Sequence, residues 1–178
     1  ELFVLERYLL AQLPPADAAA AWLGPLGAPK DFEVGRISIE AKARRGGATP
    51  FVTVNSEHQL DESGCDTLYL YVAELGQAPV GTTAAFTITD VARQISELFA
   101  RDGAALASVE ALLLAAGFRW ADDYTDYSWV EGKSRFYRVS GEFPRIIAGQ
   151  LTSGVSAVRY SVSLVACDPF IVSAELVQ

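Results

Sequence analysis

Asp31, Glu40 and Lys42 are the residues of this 178-residue chain whose types and spacing could do chemistry together. They fall within Asp31-Phe32-Glu33-Val34-Gly35-Arg36-Ile37-Ser38-Ile39-Glu40-Ala41-Lys42, an acid followed by a Glu-x-Lys triplet. A hard divalent cation such as Mg²⁺ takes carboxylate oxygens from separate positions and keeps several waters. Asp31 and Glu40 could therefore hold one and leave room for a phosphate. The Lys42 ammonium would then stand beside the bound water or the phosphate. Such a set suits cation-assisted chemistry at a phosphodiester.

For these residues to meet, the stretch has to fold as a β-hairpin. Positions 31–34 and 36–42 read as strands joined at Gly35, and the second run alternates apolar Ile37, Ile39 and Ala41 with polar Ser38, Glu40 and Lys42. A period of two puts Glu40 and Lys42 on one face. A charge pair inside a strand faces either open solvent or a functional cleft, and on residue types alone the solvated face is the commoner outcome. The chain also supplies a control. Glu131-Gly132-Lys133 repeats the triplet with Asp122 at the same distance ahead of it as Asp31 is of Glu40, so spacing by itself decides nothing. There Gly132 separates the charges between two aromatic-rich runs, which reads as a solvated hairpin turn.

Other candidates are weaker. Glu1 opens the first helix and could complete a metal shell if that helix packs beside the hairpin; a simply exposed carboxylate is the alternative. The only histidine, His58, lies in Ser56-Glu57-His58-Gln59-Leu60-Asp61 with no second His or Cys nearby, which favours a turn or cap role over a transition-metal site. Asp17, Glu33 and Asp61 read as solvated or capping. The late aromatics Trp120, Tyr124, Tyr127, Trp129, Phe136 and Tyr137 could stack bases, although a packed sheet is the plainer reading. In Phe143-Pro144-Arg145 the arginine could meet a phosphate or a local carboxylate. Neither a Walker-type phosphate loop nor a Gly-x-Ser-x-Gly elbow is present, and a single histidine limits triad chemistry.

The elements that must position the hairpin follow from periodicity. A helix is predicted over 2–10, a break at Pro14-Pro15, and a second helix over 16–23 ended by Gly24-Pro25. After the hairpin come a basic turn, Arg44-Arg45-Gly46-Gly47, and strands over 50–55 and 67–74. The run 67–74 is almost continuously apolar or aromatic, as suits a strand covered on both faces by helices. Helices over 91–100, capped by Asp90, and 104–116, stopped at Gly117, form a helical hairpin. Strands over 127–130, 135–139 and 158–165 close the chain.

With 51% hydrophobic and 20% charged residues, the chain can bury a core of the size usual for one domain, so 1–178 is expected to be a single unit. It starts at Glu1, without Met and already in a helical pattern, which predicts that an upstream N-terminal segment is absent. No apolar run reaches the roughly 18 residues needed to cross a bilayer, so a soluble protein is expected. Cys65 and Cys167 alone make no disulfide framework, which favours reduced thiols in a cytoplasm and leaves one disulfide open. The net charge of −8 argues against a surface that clings to nucleic acid, although Arg36, Lys42, Arg44 and Arg45 concentrate positive charge near the candidate site.

Asp31-Phe32, Glu40-Ala41-Lys42, Ser56 to Asp61, Phe143-Pro144-Arg145 and Val158-Arg159-Tyr160 together resemble the bacterial PD-(D/E)XK motif proteins over nearly the whole chain. The resemblance implies an α/β, restriction-endonuclease-like fold, a mixed β-sheet flanked by helices, here with additional C-terminal strands. It places Asp31 and Glu40 as metal ligands for Mg²⁺ or Mn²⁺, Lys42 as the catalytic lysine, and Glu1 as the helix glutamate that many relatives carry. Lys30 stands where relatives have Pro, and Ala41 and Ala43 flank the lysine where Val and a hydroxyl residue are commoner. The implied activity is Mg²⁺-dependent endonuclease cleavage of DNA within a bacterial restriction or anti-phage system. Other defence subunits or a second copy in a homodimer are the implied partners. A catalytically silent DNA-binding or assembly module is the alternative, and fold analogy alone does not choose between them. An unrelated small-molecule hydrolase is the least supported, since no nucleophile with a base partner is present.

Overall fold

The computed structural model describes residues 1–79 and 81–173, so part of the expected 1–178 unit lies outside the described residues. The hairpin forms as its pattern dictates. Strand β1 (Phe32–Val34) pairs antiparallel with β2 (Ile37–Arg45) in the register Phe32 to Ile39 and Val34 to Ile37. Gly35, at φ +59, supplies the left-handed backbone that this tight connection needs. β2 runs on through Arg44 and Arg45, so the basic turn of the sequence reading begins only at Gly46.

β2 lies parallel to β4 (Thr67–Gln77), and β4 pairs antiparallel with β5 (Trp129–Val139), which carries the two-residue β7 (Ile171–Val172) on its outer side. The result is a five-stranded mixed sheet ordered β1-β2-β4-β5-β7. Between β2 and β4 the chain leaves this sheet. There β3 (Phe51–Val54) pairs antiparallel with β6 (Tyr160–Ser163) in a separate two-stranded sheet.

Helices cover one face of the large sheet. They are α1 (Leu2–Val4, continued as a π-helical turn over Leu5–Leu9), α2 (Pro15–Ala21), α3 (Ile88–Phe99) and α4 (Gly103–Ala115). Val4, Leu5, Ile95, Phe99 and Val109 from these helices bury against Ile39, Tyr69, Tyr71 and Phe136 of the strands. The other face carries Leu68, Leu70, Val72, Tyr137 and Val139, and it is covered by Val52, Val54, Leu60 and Val162 instead. Hence β4 is covered on both faces, as its apolar run predicts, but by helices on one side and the small β3–β6 sheet on the other. The run of apolar residues reports burial and is silent about what does the burying.

Local signals place α3 and α4 within a few residues. Thr87, not Asp90, is the cap of α3: its hydroxyl accepts the Asp90 N–H at 3.2 Å while Asp90 accepts the Thr87 N–H at 2.8 Å, a reciprocal box. Asp102 caps α4 by accepting the N–H groups of Ala104 and Ala105, and Gly117, at φ +95, ends it as expected. The segments 127–130 and 135–139 are one strand, β5, interrupted by a register shift opposite Ala73 and Leu75. Glu131-Gly132-Lys133 therefore lies inside a strand and is not a hairpin turn; the Glu131 carboxylate is held by Arg7 at 2.8 Å and by the Ser134 hydroxyl at 2.7 Å. The expected strand over 158–165 is cut short because Leu164–Cys167 turns into a short helix, α5.

Candidate active site

Alternation along β2 sends Ile37, Ile39 and Ala41 into the core under the helices and Ser38, Glu40, Lys42 and Arg44 to the opposite face. Phe32 opposes Ile39, so Asp31 stands next to Glu40 across the hairpin. One Asp31 oxygen, Oδ2, accepts the backbone N–H of Ala41 at 2.7 Å, the residue between Glu40 and Lys42. The other, Oδ1, points towards the end of α2. There the chain turns at Gly24, and a Cβ on that glycine would lie 2.6 Å from Asp31 Oδ1 and 2.7 Å from Glu1 Oε2. Glu1 is an exposed residue whose carboxylate is nevertheless anchored, since the buried Trp22 indole N–H donates to Oε2 at 2.7 Å.

Glu40 does not face open solvent: it is 1% exposed. The Lys42 ammonium stands 2.6 Å from its Oε1, yet neither Glu40 oxygen accepts a well-directed hydrogen bond. Burial, then the neighbouring Asp31 charge, pushes the Glu40 carboxyl up to about 8 against the pull of Lys42. Asp31 is pushed up to about 6 by burial and by Glu1, against the Ala41 N–H. Two acids that both resist ionisation, one with orphaned buried oxygens, form a site short of positive charge. Among the described residues no group of three His, Cys, Asp or Glu side chains converges on one cation position. A cation here would thus rest on Asp31 and Glu40 and fill its shell with water or phosphate oxygens, as suits Mg²⁺ and not a closed protein cage.

Glu1 and Lys42 line a cavity of about 210 Å³ on the helix-covered side of the sheet together with Leu2, Tyr71, Phe86 and Trp129, and neither Asp31 nor Glu40 lines it. A larger concavity of about 530 Å³ lies on the opposite sheet face, between Arg44, Glu74, Arg135 and Asp168, and includes none of the three candidate residues. Size alone would choose the larger one, but of the two only the smaller is lined by a candidate residue, Lys42.

The positive charge expected around the site is mostly spent inside the protein. Arg36 pairs with Asp66 at 2.7 Å, Arg44 with Glu74 at 2.5 Å, and Lys42 with Glu40. Arg145 meets a local carboxylate, Glu62, at 2.9 Å. His58 is largely exposed in the turn after β3, 3.7 Å from Glu57. Of the late aromatics, Phe136 and Tyr137 are core, whereas Trp120 and Tyr127 are half exposed. Cys65 and Cys167 are free thiols. Sequence reasoning gave no role to Gly24, Trp22 or Gln59. Gly24-Pro25 is legible in sequence only as a helix stop, and no spacing signal marks Gln59, which accepts from the Lys42 ammonium at 3.0 Å.

The five-stranded mixed sheet flanked by helices is consistent with a PD-(D/E)XK-like fold of the restriction-endonuclease class. The chain belongs to the family described as "Putative PD-(D/E)XK family member, (DUF4420)", which it matches over residues 1–165. Nucleases of this kind typically use divalent metals and act on DNA. No curated protein and no solved structure matches the chain. No helix among the described residues is long and apolar enough to cross a membrane.

Proposed function

We infer that the protein is a Mg²⁺-dependent DNA endonuclease, or the nuclease subunit of a bacterial restriction or anti-phage system. Asp31 and Glu40 would hold the cation, Mg²⁺ or Mn²⁺ in its place, with Glu1 as a further carboxylate that the resemblance offers to its shell. The single observation that carries this reading is the pairing of two acids with raised affinity for protons, Asp31 and Glu40, beside the Lys42 ammonium. When bound, a divalent cation would supply positive charge at the scissile phosphate and lower the pKa of a water. Lys42 would orient an attacking water and offset negative charge as it develops at the phosphate. Ala41 keeps Asp31 aimed by donating its N–H.

One observation favours the second reading, a catalytically silent DNA-binding or assembly module. With a net charge of −8 and Arg36 and Arg44 already ion-paired, the chain by itself offers little to attract a phosphate backbone. Within the first reading the same fact makes DNA capture the task of partner subunits or of a second copy. Cleavage of DNA with Mg²⁺ by the wild type and by Glu40→Ala separates the two. Loss of cutting in a folded Glu40→Ala protein supports the enzyme, and undiminished cutting refutes the assignment.

A further inference from the structure

The motif Ser56-Glu57-His58-Gln59-Leu60-Asp61 is pinned into the fold on both sides of Gln59. Glu57, 4% exposed, accepts the N–H groups of Ala157 at 3.1 Å and Val158 at 2.9 Å and so ties the turn to the approach to β6. Leu60 is fully buried between the two sheets, and its carbonyl accepts from Arg145 at 3.3 Å. Asp61 accepts the Ser63 N–H at 2.9 Å. Gln59 alone of the six reaches the candidate site with its side chain.

The Gln59 Oε1 accepts twice: from the Asn55 N–H at 2.7 Å, where β3 ends, and from the Lys42 ammonium at 3.0 Å. Both lone pairs of one oxygen are used, the first fixing the amide to the backbone and the second fixing the lysine to the amide. Lysine needs such a tether, since its charge rides on a flexible four-carbon stem. Its other partner is Glu40, whose carboxylate would be drawn to a cation. A neutral amide accepts from the ammonium without adding a negative charge that would repel phosphate.

We propose that Gln59 is the positioning residue for Lys42, holding the ammonium in place while Glu40 engages a divalent cation. This rests on the nuclease reading above. The test measures Mg²⁺-dependent DNA cleavage by the wild type, Gln59→Ala and Gln59→Glu, and by Gln59→Ala combined with Lys42→Ala. Thermal unfolding confirms that each variant is folded. Gln59→Ala is expected to lose about 10-fold or more in kcat with KM within about twofold. Gln59→Glu, isosteric and still an acceptor, should keep Lys42 ordered but recover only part of that loss because it adds the negative charge the amide avoids, and Gln59→Ala should add almost nothing once Lys42 is alanine. An equal loss in both backgrounds, or a change confined to KM, overturns the proposal. NMR relaxation of the Lys42 Cε methylene supplies a readout that does not need activity. The methylene is ordered in the wild type and loosened by Gln59→Ala if Gln59 positions the lysine, and unchanged if it does not. A wild type that cuts nothing with Mg²⁺ or Mn²⁺ removes the nuclease reading, and the relaxation result then decides the Gln59 contact by itself.

Discussion

Asp31 is fastened to Ala41: its Oδ2 accepts the Ala41 N–H at 2.7 Å, which locks the acid to the one residue that separates Glu40 from Lys42. Asparagine at position 31 keeps a side-chain oxygen for that bond but carries no charge. Asp31→Asn should therefore leave the fold intact, with a melting temperature close to the wild type, while Mn²⁺ affinity measured by calorimetry falls at least about 10-fold. Asp31→Ala orphans the Ala41 N–H as well and should cost about 1–3 kcal/mol of stability, read by denaturant unfolding.

Glu40 makes the metal-free protein sensitive to base. The folded state keeps the Glu40 proton up to about pH 8, whereas an unfolded glutamate releases it near 4.5. The stability linked to that proton is fully present below the unfolded value and is lost as pH climbs towards 8, because the buried carboxylate must then ionise. Melting temperature in a chelator should fall between pH 5 and 8. In Glu40→Gln, which never ionises, that decline should flatten and stability at pH 8 should exceed the wild type's.

Cation binding should release protons. Asp31, raised to about 6, and Glu40, raised to about 8, are both partly protonated near neutrality, and a cation binds the ionised forms. Affinity for Mg²⁺ should therefore rise steadily from pH 6 to 8.5. Calorimetry in buffers of different ionisation enthalpy counts the protons released, and a pH-independent affinity with no proton release would contradict this.

Gly24 keeps the space between two acids clear. A methyl there would meet Asp31 Oδ1 at 2.6 Å and Glu1 Oε2 at 2.7 Å, distances at which something has to move. The Gly24 backbone is not left-handed, so alanine is tolerated by the main chain. Gly24→Ala should fold with a melting temperature close to the wild type and lose most of its cation affinity by calorimetry.

The parts of this architecture that sequence made legible are those encoded locally. The alternation from Ile37 to Lys42 put Glu40 and Lys42 on one face, and Gly35 and Gly117 marked a turn and a helix end with a defined backbone chemistry. Long-range pairing was not legible. Nothing near Val52 or Val162 announces that β3 and β6 pair with each other and not with the large sheet, and nothing near Gly132 shows that β5 runs through it. At the site, the spacing of Asp31 and Glu40 was visible, but the ion pairs that use up Arg36 and Arg44 join residues 30 apart in sequence and were not. The burial of Glu40 was missed because a Glu-x-Lys strand looks the same whether its outer face meets water or the small β3–β6 sheet.

The account stands on Asp31 and Glu40 sharing one divalent cation, and a crystal of the protein grown with Mn²⁺ and measured at the manganese absorption edge tests that most directly. The prediction is a single strong anomalous peak within bonding distance of both carboxylates, absent from Asp31→Asn crystals. A peak elsewhere, or the same peak surviving in Asp31→Asn, would contradict it.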